Sequence, residues 1–292
     1  MSVQEYSPDG TAGAATPADI VAAVERASTR RTTPNGAGEV VWHIWGKGDP
    51  VVLVHGGTGS WRHWIRNIEY LARDFQIITP DIPGSGDSSS PEPPITAESV
   101  ARPITEGIKT ILGPDQGYAI AGFSMGGLVA SYVAYQSGGQ AESLVLVSSS
   151  GTNLPRAEME PLHSWRRLPT EAQKREAHRK NLSILMIHDP AKIDDLALYV
   201  QAENSTRSRV RGKHVSTTGT LAQSLAGFKG KLAGIWGECD STSAPYIPER
   251  KALLQKFQPG SPFAIIPDSG HWVQYEAYDA FNPIMRDLLK RA

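Results

Sequence analysis

Gly122-Phe123-Ser124-Met125-Gly126-Gly127 is the stretch of this chain best suited to covalent chemistry, because a serine stands between glycines where an apolar run ends. Tyr118-Ala119-Ile120-Ala121 before it reads as a strand and Leu128-Val129-Ala130-Ser131-Tyr132-Val133 after it as a helix, which is the setting a G-x-S-x-G nucleophile requires. The glycines let the chain turn sharply where β-carbons would crowd. The hydroxyl then stands at a helix N-terminus, whose free amides stabilise developing negative charge. A glycine-rich turn without chemistry would share these letters, and the flanking strand and helix favour the reactive reading.

A serine hydroxyl is a weak nucleophile, so it needs a base within hydrogen-bond reach that is itself held in one tautomer. His271 suits the role, since it follows the strand-like Phe263-Ala264-Ile265-Ile266 through Pro267-Asp268-Ser269-Gly270. That places it at a strand's carboxyl end, where open α/β sheets assemble their sites. The orienting acid should come from a loop after an earlier strand, and Trp236-Gly237-Glu238-Cys239-Asp240 supplies Asp240. Glu238 and Asp268 are rival acids, and Cys239 reads as a packed small residue. For the oxyanion, His55-Gly56-Gly57-Thr58-Gly59-Ser60-Trp61 follows another strand, so Gly57 N–H and Met125 N–H are the expected donors. A phosphate loop would end in Lys-Ser or Lys-Thr, which this run lacks. His55 reads as a structural hydrogen-bonder of the loop.

These residues need a sheet to carry them. Val40 to Trp45, Val51-Val52-Leu53-Val54, Gln76-Ile77-Ile78-Thr79-Pro80 and Ser143-Leu144-Val145-Leu146-Val147 all read as strands, with a helix over 95–112 between two of them. Strands alternating with helices imply a mainly parallel sheet covered on both faces, an α/β fold. The rhythm breaks over 152–228, where Thr170-Glu171-Ala172-Gln173 resembles a capping box and Asp189-Pro190 opens a second helix toward Arg209. The expected organisation is an N-terminal extension over 1–37, a core over 38–151 and 229–292, and a helical cap over 152–228. Trp165, Leu185, Met186, Ile187 and Leu198 would roof a pocket from that cap.

Composition narrows the partners. With 29 basic and 30 acidic side chains the net charge is -1, which offers no concentrated field for nucleic acid or anionic lipid. The chain has 1 cysteine and so cannot form an internal disulfide. It carries neither a signal-like N-terminus nor the roughly 18 consecutive apolar residues of a membrane span. The expectation is a soluble, cytoplasmic, unprocessed protein acting on a small molecule, with no membrane partner.

Taken together, His55-Gly56-Gly57, Asp81-Ile82-Pro83-Gly84-Ser85-Gly86-Asp87-Ser88, the Ser124 turn, Trp236 to Asp240 and Gly270-His271-Trp272 resemble the α/β-hydrolase superfamily over roughly residues 38–292. The order Ser, Asp, His is the order of that fold. The resemblance implies acyl-enzyme catalysis without a cofactor or metal and leaves room for a homodimer. Serine at the turn argues against haloalkane dehalogenases and epoxide hydrolases, which use aspartate there. Gly270 to Glu276 and Ala280-Phe281-Asn282 resemble the meta-cleavage product hydrolases, which split carbon–carbon bonds and carry a cap arginine for the substrate's acidic end. Arg207 is the nearest counterpart, with Arg209 and Arg211 as alternatives and a solvated helix face as the plain reading. That family usually has asparagine before the nucleophile where this chain has Phe123, and Gly-Phe-Ser-Met-Gly-Gly is more like esterases, enol-lactonases and perhydrolases. The leading expectation is hydrolysis of a small ester or lactone, with Gly56, Phe123, Trp165, Arg207 and Trp272 contacting substrate. Carbon–carbon hydrolysis is the alternative, and a non-turnover ligand receptor the second.

Overall fold

The run Val51 to Val54 is apolar at every position because both faces of its strand are covered: Val51 and Leu53 join one core, Val52 and Val54 the other. The same division recurs along the sheet of the computed structural model, which describes residues 15–210 and 212–290. Its strands are β1 (Thr29–Asn35), β2 (Gly38–Trp45), β3 (Asp49–Val54), β4 (Phe75–Pro80), β5 (Tyr118–Phe123), β6 (Ala141–Val147), β7 (Lys231–Gly237) and β8 (Phe263–Ile266). They lie in the order β1-β2-β4-β3-β5-β6-β7-β8. The pairs β1–β2 and β2–β4 are antiparallel, and every pair from β4 to β8 is parallel.

Helices Ala97–Leu112, Met125–Gln136 and Ile247–Phe257 cover one face, and Pro17–Arg26 and Tyr278–Leu289 contribute to the other. Ala97–Leu112 begins where Thr96 and Ser99 cap each other's backbone amides, which satisfies donors the first turn cannot. The parallel strands point their carboxyl ends to one edge of the sheet. All the loops that carry the candidate residues leave from that edge.

Two expectations need correction. The stretch 1–37 is not wholly an extension, because Thr29–Asn35 forms the edge strand β1 and Pro17–Arg26 packs against helix Asp195–Arg207. Thr29-Arg30-Arg31-Thr32-Thr33-Pro34-Asn35 is polar and largely exposed, as an edge strand paired on one side is, so it carries no apolar alternation to read. The second helix expected in the 152–228 segment also begins later than Asp189-Pro190. Asp189 caps only a short 3₁₀ turn at Pro190–Lys192, and Asp194 then accepts the Ala197 amide at 2.8 Å to start Asp195–Arg207. The Thr170–Gln173 box does open Glu171–Leu185. Between β6 and β7 the described residues form helices and irregular chain with no strand.

Candidate active site

β5 delivers its last residue, Phe123, to a turn in which Ser124 takes φ 53° and ψ -120°. A left-handed conformation costs a side-chain-bearing residue roughly 1–3 kcal/mol, so it persists only where its surroundings fix it. Here the Ser124 amide donates to Val147 O at 2.9 Å, while Ser124 O accepts from Gly127 N and Ser150 N, each at 3.0 Å. The glycines are sterically required: a β-carbon on Gly122 would fall 2.2 Å from Gly126 O, and one on Gly126 would fall 2.1 Å from His55 O. Strand, turn and helix are thus pressed together until only hydrogen fits.

The hydroxyl of Ser124 lies 2.9 Å from Nε2 of His271, whose Nδ1 lies 2.9 Å from Oδ1 of Asp240. Asp240 Oδ1 also accepts from the Thr242 amide and hydroxyl, both at 2.8 Å. A carboxylate can only accept, so Nδ1 carries the proton and Nε2 is left free to take one from serine. Burial alone would raise the Asp240 carboxyl. The charge and hydrogen bond of His271 and the two Thr242 bonds outweigh it and hold the group below its ordinary value. The rival acids serve the loops: Glu238 accepts the Asp268 amide at 3.3 Å.

The expected oxyanion donors, Gly57 and Met125, both line the cavity beside Ser124. Two buried histidines shape their loop. His55 Nδ1 donates to Gly56 O at 2.7 Å and Nε2 accepts the Ile82 amide at 2.8 Å, so the ring is neutral, and burial pushes its pKa down to about 4. His63, which follows Trp61-Arg62 and suits the base less well than His271 by sequence, takes a structural part that the sequence did not suggest: its Nδ1 accepts the Gly56 amide at 3.2 Å. Burial first, and then the repulsion that a second proton would meet beside the His55 and His271 imidazoles, hold it well below the usual histidine range, which preserves that acceptor. Its ring stands edge-on to Phe123 and Trp272. The only sequence signal was its place one helical turn beyond the glycines.

These groups face a cavity of about 810 Å³. Phe123, Leu185 and Met186 line it as expected, joined by Leu154, Met159 and Leu162. Four expected substrate contacts do not. Gly56 lies beneath the Phe123 ring, where an added β-carbon would come within 2.8 Å. Trp272 is fully buried, stacked on Tyr275 and donating its indole N–H to His63 O at 2.9 Å. Trp165 packs on His178, with its ring centroid 4.8 Å away. Arg207 pairs with Asp87 at 2.7 Å and Glu203 at 3.2 Å. Ile187 and Leu198 belong to the core, not the roof. Arg209 is held by Gly86 O and Ser88 O, and Arg211 lies outside the described residues. The arginines that do reach the wall are Arg156 and Arg250. Arg250 is buried and donates to Tyr246 O at 2.8 Å and Pro155 O at 2.5 Å. A smaller cleft of about 240 Å³ near Arg66 and Tyr278 holds no comparable nucleophile.

A family model for the α/β-hydrolase fold matches residues 49–176. The chain is 25% identical over 258 residues to 2-hydroxy-6-oxo-6-phenylhexa-2,4-dienoate hydrolase of Burkholderia cepacia, covering 84% of this chain and 88% of that protein. It superposes on the meta-cleavage product hydrolase of Pseudomonas fluorescens with a TM-score of 0.69 at 22% identity, over 88% of this chain and 96% of the other. It superposes on the enol-lactonase of Burkholderia xenovorans with a TM-score of 0.66 at 18% identity, over 89% of this chain and 100% of the other. Sheet order, matched model and relatives agree on the α/β-hydrolase fold, and the chain is a hydrolase of that fold, similar to meta-cleavage product hydrolases and to esterases or lactonases.

Proposed function

We propose that this hydrolase cleaves a small carboxylic ester or lactone through an acyl-enzyme on Ser124. The observation that carries the reading is the unbroken line from Ser124 Oγ through His271 to Asp240, opening onto the cavity. Oγ attacks the carbonyl carbon as Nε2 of His271 takes its proton. The carbonyl oxygen becomes an oxyanion facing the amides of Gly57 and Met125. The tetrahedral intermediate collapses, and His271 returns the proton to the departing alkoxide. Water then repeats the sequence on the acyl-enzyme and frees the acid. Asp240 stays ionised and balances the imidazolium. Phe123 suits this chemistry because it presents an apolar ring beside the reacting carbonyl. Residues 152–228 act as the cap that roofs the reaction. Among the described residues no helix is long and apolar enough to cross a membrane, and a cytoplasmic location is part of this reading.

Carbon–carbon hydrolysis is the second reading, favoured by the names of the relatives and by Arg156 and Arg250 at the wall, which suit an acidic substrate end. It requires the dienol to ketonise before attack, and Phe123 offers that oxygen no hydrogen bond. Parallel assays with p-nitrophenyl esters, lactones and a ring-fission dienoate, against Ser124→Ala, separate the two. Serine-dependent ester or lactone turnover supports the leading reading. Serine-dependent bleaching of the dienoate with poor ester turnover replaces it with the second, and equal inertness of both proteins leaves a ligand receptor.

A further inference from the structure

We propose that Glu276 is a positioning residue, whose carboxylate ties the loop carrying His271 to the cap segment that walls the cavity. The inference rests on the reading of His271 as the base. Glu276 is buried at the end of the short helix Val273–Glu276. Its Oε2 accepts from Gly270 N at 2.6 Å and His188 N at 3.0 Å, and its Oε1 accepts from Asp189 N at 2.8 Å. Gly270 directly precedes His271, whereas His188 and Asp189 follow Leu185 and Met186, which line the cavity. Among the described residues no lysine or arginine pairs with this carboxylate, so backbone amides are its hydrogen-bond donors. A buried carboxylate that accepts several amide bonds fixes their relative positions, because releasing any one leaves both a donor and a charge under-satisfied.

Two further bonds make the joint continuous. The Trp272 amide donates to Met186 O at 2.7 Å, and the Ser241 hydroxyl donates to Leu185 O at 2.7 Å. One cap segment therefore grips the neighbours of both His271 and Asp240. Gly270 sits so close to it that an added β-carbon would fall 2.7 Å from His188 N. Glutamine at 276 would keep the volume but turn one acceptor oxygen into an N–H₂ donor facing an amide N–H, so the joint would open on one side.

The test compares wild type, Glu276→Gln, Glu276→Asp and His271→Ala in the full chain. Each is assayed on p-nitrophenyl acetate, too short to use the cap wall, and on a longer acyl ester. Misplacing a catalytic group by about 1 Å costs on the order of a hundredfold, so a tenfold or greater fall in kcat on the acetate is expected for Glu276→Gln. KM on the acetate should stay within about twofold, and Glu276→Asp should recover part of the loss because it restores an all-acceptor group. If Glu276→Gln does not fold, the rate at which a fluorophosphonate labels Ser124 in Glu276→Asp takes its place, slower labelling being expected and a wild-type rate overturning the proposal. A Glu276→Gln protein that keeps its acetate kcat beside an inactive His271→Ala overturns this inference alone. Undiminished turnover by His271→Ala overturns the reading of the site itself.

Discussion

The floor and the roof of the cavity are built by different means. Ser124, Asp240, His271 and Gly57 all lie just past the carboxyl ends of neighbouring parallel strands, where sheet register fixes each backbone. Leu154, Arg156, Met159 and Leu162 come instead from a stretch between β6 and Glu171–Leu185 with no regular helix or strand. Its ties to the core are few, such as Ala157 N to Thr242 O at 3.4 Å and Arg250 to Pro155 O at 2.5 Å. His271 is 4% exposed, whereas Met159 is 39% and Leu162 52% exposed. On the proposed reading the fixed floor would perform the chemistry and the loosely tied roof would select what reaches it, so floor variants should move kcat and roof variants KM.

The sharpest way to break that division is Ser124→Ala. It should lower kcat by roughly 10⁴-fold or more, as removal of a triad member does, while thermal stability stays near wild type, because alanine keeps the β-carbon and with it the same strained φ. Steady-state kinetics and a melting curve check both halves, and turnover by Ser124→Ala within about tenfold of wild type would refute the assignment. Asp240→Asn comes next. The amide would favour the wrong His271 tautomer, so kcat should fall by roughly 10³ to 10⁴-fold with little change in KM.

Acid should act on the floor before the roof. His55 has a folded pKa of about 4 against 6.5, so the unfolded chain binds more protons between these values. Its stabilising contribution is complete above about pH 6.5 and is lost as pH falls toward 4, a difference on the order of 3 kcal/mol. His63 adds to the loss in the same direction. Asp240, held below 3.8, contributes above that pH and loses its effect as pH falls through its folded value. Denaturant unfolding at pH 7 and pH 4.5 measures the loss, and His55→Asn should flatten it. At fixed pH, His63→Phe keeps the ring packing but leaves the Gly56 amide without its acceptor. A fall of about tenfold in kcat is expected, since a buried orphan donor costs roughly 1–3 kcal/mol.

The same division explains what could be read from the residues alone. Ser124, Asp240 and His271 were legible because each sits in a local pattern, an apolar run followed by a tight glycine-bearing loop, and strand ends in a parallel sheet converge whatever the surface does. β1 was not, because an edge strand paired on one side has no need of apolar alternation. Nor was the roof. Trp165 and Arg207 lie in the expected segment, yet their directions depend on how His178, Asp87 and Glu203 pack against them, which spacing does not encode. Arg250 was invisible for the opposite reason, since it lies in a core helix, outside the segment read as cap.

The smallest expected effect is therefore the most informative about the roof. Arg207→Ala removes a partly exposed pair with Asp87 and Glu203, and such pairs are worth about 0–1 kcal/mol, so its melting temperature and its kcat/KM should stay near wild type. Arg156→Gln, at the wall, should instead raise KM several-fold for substrates with an acidic end, because one charge-assisted hydrogen bond is worth about 1.5–3 kcal/mol at most and solvent screens an exposed arginine. Measured side by side on one carboxylate-bearing ester and its neutral counterpart, the two variants should differ in KM and agree in kcat. If Arg207→Ala shifted KM and Arg156→Gln did not, the cap would have to swing over the site to bring Arg207 inward, and the wall residues of this structure would not be the ones that meet the substrate.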